Sequence, residues 1–487
     1  MKINKSRLLT VILSLAFLPS CNNHSEIKKT VTEELLETAV SFHAIGVNEP
    51  TVQYMEPTFT VPREVSRIAC EVHFNRVPTK MRFSMPCYPC MVTENNIHYS
   101  SGWTETYDPE ASSSCEILWD REARTARMWV ESQNPARIIV RFRAAIADPE
   151  GYIAHSDTPS GSPYGEGDWT DEWYYIYPDG MHTRHVRIYT GLAGQSLTVT
   201  DEQFKGVAPV REIPPTVVHE FHEEFIFGQD GHVPGDDIET GALTFIKLNG
   251  SQKTISFDPY PRDFGNFTMA NILVVNTRSD FRPYTIFFPY GLENQPYPLE
   301  GKAPHTFQTW PSDPGDEGYS VSLGHALNWW HYRRNDTILE QVYLSGMINS
   351  ENPADELLPL AKSWLEYPRL VLEGKELSYT QQSYDQAQRA YILPDEISGP
   401  RKLSFSLGFP EEFEEDVNIP VNIVNPVFIV PNWGESGAEI KLNGKSLKQR
   451  EDFELGYEAN NEGSDLVIWM DLSTLKQISL EILPSVL

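Results

Sequence analysis

The stretch ARIIVRFRA, residues 136–144, decides the fold class of this chain of 487 residues. In it, Arg137, Arg141 and Arg143 alternate with apolar residues. Successive side chains of a β-strand point to opposite faces, so a strand here has one cationic face and one apolar face. Such a strand is typical of an antiparallel sheet that is buried on one side only.

Short runs of the same kind recur along the chain. Runs rich in β-branched or aromatic residues and bounded by Pro, Gly, Asn or Asp lie at residues 181–189, 242–248, 272–275, 284–288 and 421–430. The dipeptides Asn249-Gly250 and Asn443-Gly444 have the sequence of two-residue hairpin turns. This pattern predicts an all-β protein with antiparallel pairing.

We expect a large antiparallel β-sandwich, a smaller C-terminal β-sandwich and few short helices. Helical pieces around residues 357–364 separate two parts that are rich in strands, which places a boundary near residue 350. The predicted parts are a signal peptide at 1–20, a tether with a short helix at 21–50, the large sandwich as catalytic domain at 51–350 and the small sandwich at 351–487.

The N-terminus has the pattern of a bacterial lipoprotein signal. A basic start is followed by a short apolar run at residues 8–18, and Leu18-Pro19-Ser20-Cys21 fits a lipobox. We therefore expect lipidation of Cys21 and attachment to the outer membrane, on its periplasmic face or at the cell surface. The alternative is an ordinary cleaved signal with an incidental cysteine.

The formal charge of −29 limits the partners. Such an acidic surface repels nucleic acid and anionic lipid, so contact with a membrane is expected only through the N-terminal lipid. A local basic pocket can still hold an anion. We expect the partner to be an anionic oligosaccharide or polysaccharide.

Two motifs could indicate metal chemistry. Cys70, Cys87, Cys90 and Cys115 are an even, clustered set, which favours disulfides or idle thiols, although half of a zinc site or a redox pair stays open. The histidines of the stretch 218–223 are three residues apart, and on a strand they would point to opposite faces. We predict no metal and no cofactor.

Candidate site residues are concentrated at residues 151–180. This stretch is rich in glycine, aromatic residues and titratable groups, as functional loops often are. His155 with Asp157 could form an imidazole–carboxylate pair, and Tyr164 and Tyr177 are candidate partners in proton transfer. The alternative is a histidine that is satisfied within a loop network.

Cationic and aromatic candidates lie further along the chain. In the strand at 181–189, His185 and Arg187 share one face and Arg184 lies on the other. Other candidates for contact with a substrate are Trp169, Arg278, Arg282, His305 and Trp310. For any single arginine, neutralisation by a neighbouring carboxylate is the alternative.

Several of these stretches resemble a family of exported proteins from polysaccharide-degrading marine and gut bacteria. The similar stretches are Ile153-Ala154-His155-Ser156-Asp157, Gly167-Asp168-Trp169, Ile176-Tyr177-Pro178-Asp179-Gly180, Val218-His219-Glu220, residues 276–284 and residues 304–311. The family is similar to a dehydratase that acts on uronic-acid ends of ulvan oligosaccharides. The resemblance therefore implies a carbon–oxygen lyase that forms an unsaturated uronate, with a dehydratase favoured over a chain-cleaving lyase.

Elimination from a uronate also suits the residue types. The carboxylate must be neutralised, a base must take the C5 proton, and an acid must protonate the leaving group. In this hypothesis His155, oriented by Asp157, transfers protons together with Tyr164 or Tyr177. Arg184, Arg278 and Arg282 bind the substrate carboxylate, and His305 is a further contact to the substrate. Trp169 and Trp310 stack on the faces of the sugar rings.

Two other functions stay open at the level of sequence. A non-catalytic glycan-binding lipoprotein would use the same aromatic residues and arginines without a proton-transfer pair. A glycoside hydrolase would need two paired carboxylates, and no spacing in this sequence singles out such a pair.

Overall fold

The fold is described from a computed structural model of the chain. The structure describes residues 51–54, 69–84, 89–100, 102–106, 108–120, 124–192, 219–227, 234–256, 270–287, 295–297, 306–308, 319–329, 332–335, 337–372, 375–376, 383–394, 399–408 and 422–486.

In the described part of the chain, twenty-one strands precede the α-helix. They are β1 (Thr51–Tyr54), β2 (Ala69–His73), β3 (Lys80–Ser84), β4 (Cys90–Val92), β5 (His98–Ser100), β6 (Trp103–Thr106), β7 (Cys115–Glu116), β8 (Arg127–Asn134), β9 (Arg137–Ala145), β10 (Trp169–Ile176), β11 (His182–Tyr189), β12 (His219–Phe227), β13 (Ile238–Ile246), β14 (Gln252–Ser256), β15 (Ile272–Thr277), β16 (Arg282–Phe287), β17 (Gln295–Tyr297), β18 (Thr306–Gln308), β19 (Tyr319–Trp329), β20 (Tyr332–Asn335) and β21 (Ile338–Ile348).

One α-helix and thirteen further strands follow among the described residues. They are α1 (Pro353–Leu365), β22 (Arg369–Leu372), β23 (Lys375–Glu376), β24 (Tyr384–Asp385), β25 (Ala390–Ile392), β26 (Leu403–Gly408), β27 (Ile423–Val424), β28 (Val427–Val430), β29 (Gly437–Leu442), β30 (Lys445–Ser446), β31 (Phe453–Ala459), β32 (Ser464–Met470), β33 (Ser473–Thr474) and β34 (Ile478–Ser485).

The first twenty-one strands form two antiparallel sheets. Sheet I has eleven strands, in the order β1-β2-β3-β4-β5-β12-β19-β17, with β6, β7 and β18 paired at its side. Sheet II has ten strands, in the order β14-β13-β15-β16-β21-β11-β10-β9-β8, with β20 paired to β21. The predicted strands at 136–144 and 181–189 are β9 and β11 of sheet II, so this part of the pattern is confirmed.

The C-terminal part contains two larger sheets and a small one. Sheet III has the order β23-β22-β26-β34-β29-β30, and sheet IV has the order β24-β25-β28-β32-β31. The pair β25–β28 in sheet IV is parallel, and β27 pairs with β33. The chain is therefore an all-β protein of stacked, mainly antiparallel sheets, as predicted.

The two faces of sheet II pack against different partners. Its inner face, with Phe142 and Val186, shares one hydrophobic core with Phe83 and Met81 of sheet I. Its outer face, with Leu344 for example, shares a second core with α1 and sheets III and IV. Sheet II is thus the central layer, and the alternation of side chains along each strand decides which partner a residue meets.

Helix α1 begins where its sequence allows. Pro353 occupies the first turn, where its fixed φ suits a helix. Asp355 in the first turn and Lys362 in the last turn match the helix dipole. The apolar side chains Leu357 and Trp364 are buried against sheet II and the C-terminal sheets. This confirms the helical piece that the sequence indicates there.

Both Asn-Gly dipeptides lie in hairpin turns, but only Asn443-Gly444 has the predicted two-residue form. At Asn249-Gly250 the N–H of Gly250 donates to the carbonyl of Lys247 and only Gly250 has a positive φ, so this loop has three residues. Asn249-Gly250 joins β13 to β14, and Asn443-Gly444 joins β29 to β30. Asn443 and Gly444 have φ values of 50° and 78°, as a two-residue turn of type I′ requires. The turns fix the pairing register of both hairpins.

The described cysteines differ in their bonding state. Cys90 is disulfide-bonded, whereas Cys70 and Cys115 are free and buried. Burial raises the pKa of both free thiols to about 12, with neighbouring carboxylates adding to it. Thiolates are the reactive form, so neither thiol is poised for chemistry at neutral pH. Cys87 lies outside the described residues.

No helix in the part of the chain that the structure describes is long and apolar enough to cross a bilayer. The predicted signal peptide, the lipidation of Cys21 and the short helix of the tether lie outside that part and stay predictions. The predicted boundary near residue 350 falls in the link between β21 and α1.

A buried ion pair joins β9 of sheet II to β31 of sheet IV. Arg137 donates from Nε to Oε1 of Glu458 at 2.7 Å and from Nη2 to Oε2 at 2.5 Å. The side chain of Arg137 is 3% exposed. Burial raises the pKa of Glu458, but its contacts with Arg137 outweigh this and leave it lowered. The pair therefore holds the C-terminal sheets onto the outer face of sheet II.

We expect Glu458→Gln to lower the free energy of unfolding by ~3–5 kcal/mol, because it leaves a buried guanidinium uncompensated. Urea unfolding at pH 7 measures this, with the exposed Glu435→Gln as control. Because the pKa of Glu458 is lowered in the folded protein, the ion pair contributes its full stability above the pKa that Glu458 has in the unfolded chain. This stability is lost as the pH falls through the pKa of Glu458 in the folded protein. A loss under ~1 kcal/mol in Glu458→Gln would contradict the role of the pair.

Candidate functional site

One part of the outer face of sheet II carries arginines and aromatic rings in adjacent positions. We define the Arg–Trp face as Trp129, Arg141, Arg143, Tyr164, Asp171, Trp173, His185, Arg187 and Glu340. The register of four antiparallel strand pairs, from β8 through β9, β10 and β11 to β21, assembles it. Trp173 of β10 lies opposite Arg141 of β9 and His185 of β11. The next row has Asp171 opposite Arg143 and Arg187 in the same way.

Asp171 is the buried carboxylate of this face, to which its neighbours are hydrogen-bonded. Its carboxylate, which is not exposed at all, accepts hydrogen bonds from Nε and Nη2 of Arg141 at 2.8 and 2.6 Å. It also accepts a hydrogen bond from the phenol of Tyr164. A buried carboxylate requires such partners. Asp171 therefore fixes the positions of both the guanidinium and the phenol.

Tyr164 comes from the connection between β9 and β10 and folds back over the strands. Its phenol also accepts from Nη2 of Arg141 at 3.1 Å. Burial raises the pKa of Tyr164, and the hydrogen bond to Asp171 raises it further, whereas Arg141 opposes the shift. The phenol is thus protonated at neutral pH, which suits a proton donor.

Arg143 has no carboxylate partner among the described residues. Its guanidinium lies 4.3 Å from the ring centroid of Tyr164 and 5.8 Å from that of Trp129. Its Nε is buried without a hydrogen-bond partner in the described part of the chain. The rings hold the cation by cation–π contact but satisfy none of its donors. Arg143 is therefore positioned to bind an external anion.

The other side of the face holds a charge pair and a stacked imidazole. Arg187 donates from Nε to Oε1 of Glu340 at 2.6 Å. His185 stacks on Trp173 with 5.3 Å between ring centroids, and its Nε2 lies 3.7 Å from Oε1 of Glu340. The guanidinium of Arg187 lies 5.2 Å from the Trp173 ring. The imidazole and the indole are both half-buried, so they are accessible from solvent.

The local charge is positive in a strongly acidic protein. The charges of Arg141 and Arg187 are matched by Asp171 and Glu340, which leaves that of Arg143 without a matching carboxylate in the described residues. A cation that is held in place but uncompensated attracts anions from solution. The arrangement can bind a planar carboxylate or a similar anion through two parallel hydrogen bonds.

His155 pairs with a different carboxylate from the one the sequence suggests. Its Nδ1 lies 2.8 Å from Oδ2 of Asp168, while Asp157 is exposed and bonds to Thr158. Strand alternation does not hold here because His155 has a φ of 52° and begins a turn that Thr158 closes. His155 is only 8% exposed and its backbone N–H donates to Asp108. The pair orders the connection between β9 and β10.

Arg184 lies on the inner face of sheet II. Its Nε donates to Oε2 of Glu172 at 2.8 Å, and its Nη2 donates to Oε1 at 3.0 Å. The phenol of Tyr174 donates to the same carboxylate at 2.7 Å. Glu172 is fully buried and Arg184 is 5% exposed. Arg184 is thus separated from the Arg–Trp face by the sheet itself.

Two aromatic candidates serve packing contacts. Tyr177 is fully buried, and its phenol donates to the carbonyl of Gln388 in the C-terminal part. Trp169 is 8% exposed, and its Nε1 donates to the carbonyl of Glu166 at 3.0 Å. The ring of Trp169 packs at 5.8 Å from that of Tyr164. Trp169 therefore supports the Arg–Trp face from its edge, and Tyr177 lies away from it.

The two arginines around β16 belong to another region of sheet II. Arg278 is exposed, and its backbone N–H donates to the carbonyl of Asp237. Arg282 is half-buried and donates to Asn276. Neither residue contacts the Arg–Trp face in any described interaction. His305 and Trp310 lie outside the described residues.

No protein-family model matches the chain, and no curated protein has a significantly similar sequence. The assignment of a function therefore depends on the chemistry of the side chains themselves. In the described part of the chain, no group of three or more His, Cys, Asp or Glu side chains could hold a metal ion.

The sequence predicts part of the Arg–Trp face. Parity along the strands predicted that Arg141 and Arg143 share a face, and likewise His185 and Arg187, and both predictions are confirmed. It missed that Asp171 would be the buried partner and that Trp173 would lie between the two pairs. The missing information was the register of β10 against its neighbours.

We expect Asp171→Asn to lower the pKa of Tyr164 towards the ordinary value of 10.0, since the carboxylate charge is one cause of the shift. Titration by NMR of protein labelled in its tyrosine rings measures this, with Tyr164→Phe identifying the resonance. The exposed Asp157→Asn is the control and should leave the titration unchanged. An unchanged Tyr164 pKa in Asp171→Asn would show that Asp171 does not govern the phenol.

Proposed function

We propose that this chain is a carbon–oxygen lyase that binds the uronic-acid end of an anionic oligosaccharide on the Arg–Trp face. The observation that carries the proposal is Arg143, a guanidinium held between two rings without a matching carboxylate in the described residues. In a chain with a formal charge of −29, an uncompensated cation on a half-exposed face is unusual. A uronate carboxylate supplies the missing acceptors.

The aromatic side chains support a sugar as the ligand. Trp129 of β8 and Trp173 of β10 are half-buried on the face, with β9 between their strands. A flat indole covers the apolar side of a pyranose ring, while the polar groups around it bond to the hydroxyls. The guanidiniums that contact these rings can bond to the hydroxyls of a sugar that lies along the exposed edges of the indoles. This combination suits an anionic sugar better than an inorganic anion.

The activity that we propose is β-elimination across C4 and C5 of the bound uronate. Arg143 neutralises the carboxylate, so that negative charge can spread onto it when the C5 proton leaves. The imidazole of His185 takes that proton, and the electron pair of the C5–H bond forms the C4–C5 double bond. The C4–O bond breaks, and Tyr164 protonates the departing oxygen, giving an unsaturated uronate and water or a shortened sugar chain.

The division of roles follows from the surroundings of each group. Tyr164 is protonated at neutral pH because burial and Asp171 raise its pKa, so it suits the acid role. His185 is the other half-buried proton-transfer group of the Arg–Trp face. Tyr164 is hydrogen-bonded to Asp171, and His185 lies opposite Trp173 in the adjacent row of the same face. A sugar ring that lies on the solvent side of these two rows could meet both.

Non-catalytic binding of the same saccharide is the second candidate. The observation that favours it is that Tyr164 is held by Asp171 and Arg141. A phenol that is fixed in this way can serve purely to hold Arg143 in place. This candidate predicts affinity that depends on Arg143 and no turnover.

We expect Arg143→Gln to weaken binding of a uronic-acid oligosaccharide roughly 10- to 100-fold, because hydrogen bonds to charged groups contribute ~1.5–3 kcal/mol. Affinity for the carboxyl-reduced, neutral oligosaccharide should change little. Isothermal titration calorimetry measures both ligands, with the exposed Lys476→Gln as charge-matched control. Equal affinity of Arg143→Gln and wild type for the uronate would overturn the proposed binding site.

We expect Tyr164→Phe to lower kcat by about 10²–10⁴-fold, the usual contribution of a general acid, and to leave affinity nearly unchanged, because the ring under Arg143 stays. The ultraviolet absorbance of the conjugated product measures turnover, and Tyr457→Phe in the C-terminal sandwich is the control. A wild-type protein that binds uronates through Arg143 but never forms this chromophore would be a binding protein.

A further inference from the structure

A polar cavity of about 400 Å³ lies elsewhere on the outer face of sheet II, beside the first turn of α1. The residues that line it are Glu239, Gly241, Thr244, Gln252, Thr254, Asn276, Arg282, Glu351, Asn352 and Pro353. Its volume is within the range of small-molecule sites, about 300–1,000 Å³. Most such sites are lined by apolar side chains, whereas this one has none larger than a proline.

Internal hydrogen bonds make the floor of the cavity rigid. Asn276 donates from Nδ2 to the carbonyl of Gly241 at 2.6 Å and to Oγ1 of Thr244 at 2.9 Å. Its Oδ1 accepts from Nη1 of Arg282 at 3.1 Å, and Arg282 also donates to the carbonyl of Ser350. Asn276 is 6% exposed. Such a network is a preformed surface rather than a chance gap between side chains.

Two side-chain amides at the rim have no hydrogen-bond partner among the described residues. Gln252 is exposed on the edge strand β14. Asn352 stands at the N-cap of α1, where an asparagine side chain often caps the helix, but here it makes no capping bond. Each amide offers donors and an acceptor to a ligand in the cavity.

The charges around the cavity limit what it can hold. Glu239 and Glu351 line it, and Asp355 lies in the first turn of α1, so an anion meets several carboxylates. A cation meets Arg282, whose pKa burial lowers even though Glu239 opposes the shift. An apolar ligand would leave the amides and carboxylates without water or partners. What remains is a neutral ligand that is rich in hydroxyl groups.

We propose that this cavity is a second binding site, which takes a neutral, hydroxyl-rich sugar unit and is separate from the Arg–Trp face. Sugar hydroxyls both donate and accept, so they can bond to the carboxylates of Glu239 and Glu351, the amide of Gln252 and the guanidinium of Arg282 together. The site differs from the Arg–Trp face in lacking aromatic rings and in its negative local charge.

Saturation-transfer NMR with a neutral hexose and the matched hexuronic acid tests this proposal on the full-length protein. We expect saturation transfer to the hexose and, in Arg143→Gln, where the uronate site is removed, much weaker transfer to the hexuronate. Thr254→Trp should abolish the hexose signal by filling the cavity, and Gln252→Ala should weaken it several-fold without adding bulk. Ser446→Trp on the exposed strand β30 and Arg143→Gln are the controls and should keep it.

Three results would overturn the proposal. They are no saturation of the hexose in the wild type, a hexose signal that survives both Thr254→Trp and Gln252→Ala, and a hexose signal that disappears in Arg143→Gln. A thermal melt of each variant shows that it is folded, and Gln252→Ala decides the matter if Thr254→Trp does not fold. Because Arg143→Gln affects only the uronate site, failure of one proposal leaves the other measurable.

Discussion

The Arg–Trp face depends on one buried carboxylate. Asp171 is fully buried on the outer face of sheet II, and a carboxylate that is withdrawn from water must be compensated. Arg141 and Tyr164 supply the compensation and are fixed in orientation by it. Tyr164 then forms one wall of the place where Arg143 lies. The uncompensated cation that we assign to substrate binding is thus held indirectly by a negative charge one strand away.

The outer face of sheet II is divided by what covers it. Along part of the sheet, α1 and the C-terminal sheets bury apolar side chains such as Ile286 and Leu344. The strands β8 to β11 at the other side keep rings and guanidiniums half-exposed, while the cavity beside Arg282 lies near the start of α1. One sheet therefore carries two polar regions of different charge on the same face, with a hydrophobic interface between them.

Prediction from the sequence worked where the signal was local. Alternation in residues 136–144 gave the strand and its two faces, and Asn443-Gly444 gave a hairpin turn, because side-chain period and turn conformation depend on neighbouring residues only. The site depends on pairing across strands, which alternation does not determine. Closeness in sequence predicts a pair of His155 with Asp157, but a turn with positive φ directs the imidazole to Asp168. The sequence suggests Arg184 as a clamp for the substrate carboxylate, but Arg184 pairs with Glu172 on the next strand, and alternation along one strand does not predict that pairing.

The ion pair between Arg137 and Glu458 has a consequence for how the chain acquires its structure. The two residues are 321 positions apart in sequence. Contacts of such long range raise the contact order and slow folding, because a large loop must close before the contact forms. A chain that emerges from the ribosome N-terminus first carries an unneutralised arginine on β9 until β31 has been made. Docking of the C-terminal sheets onto the outer face of sheet II is therefore expected to be a late step of folding.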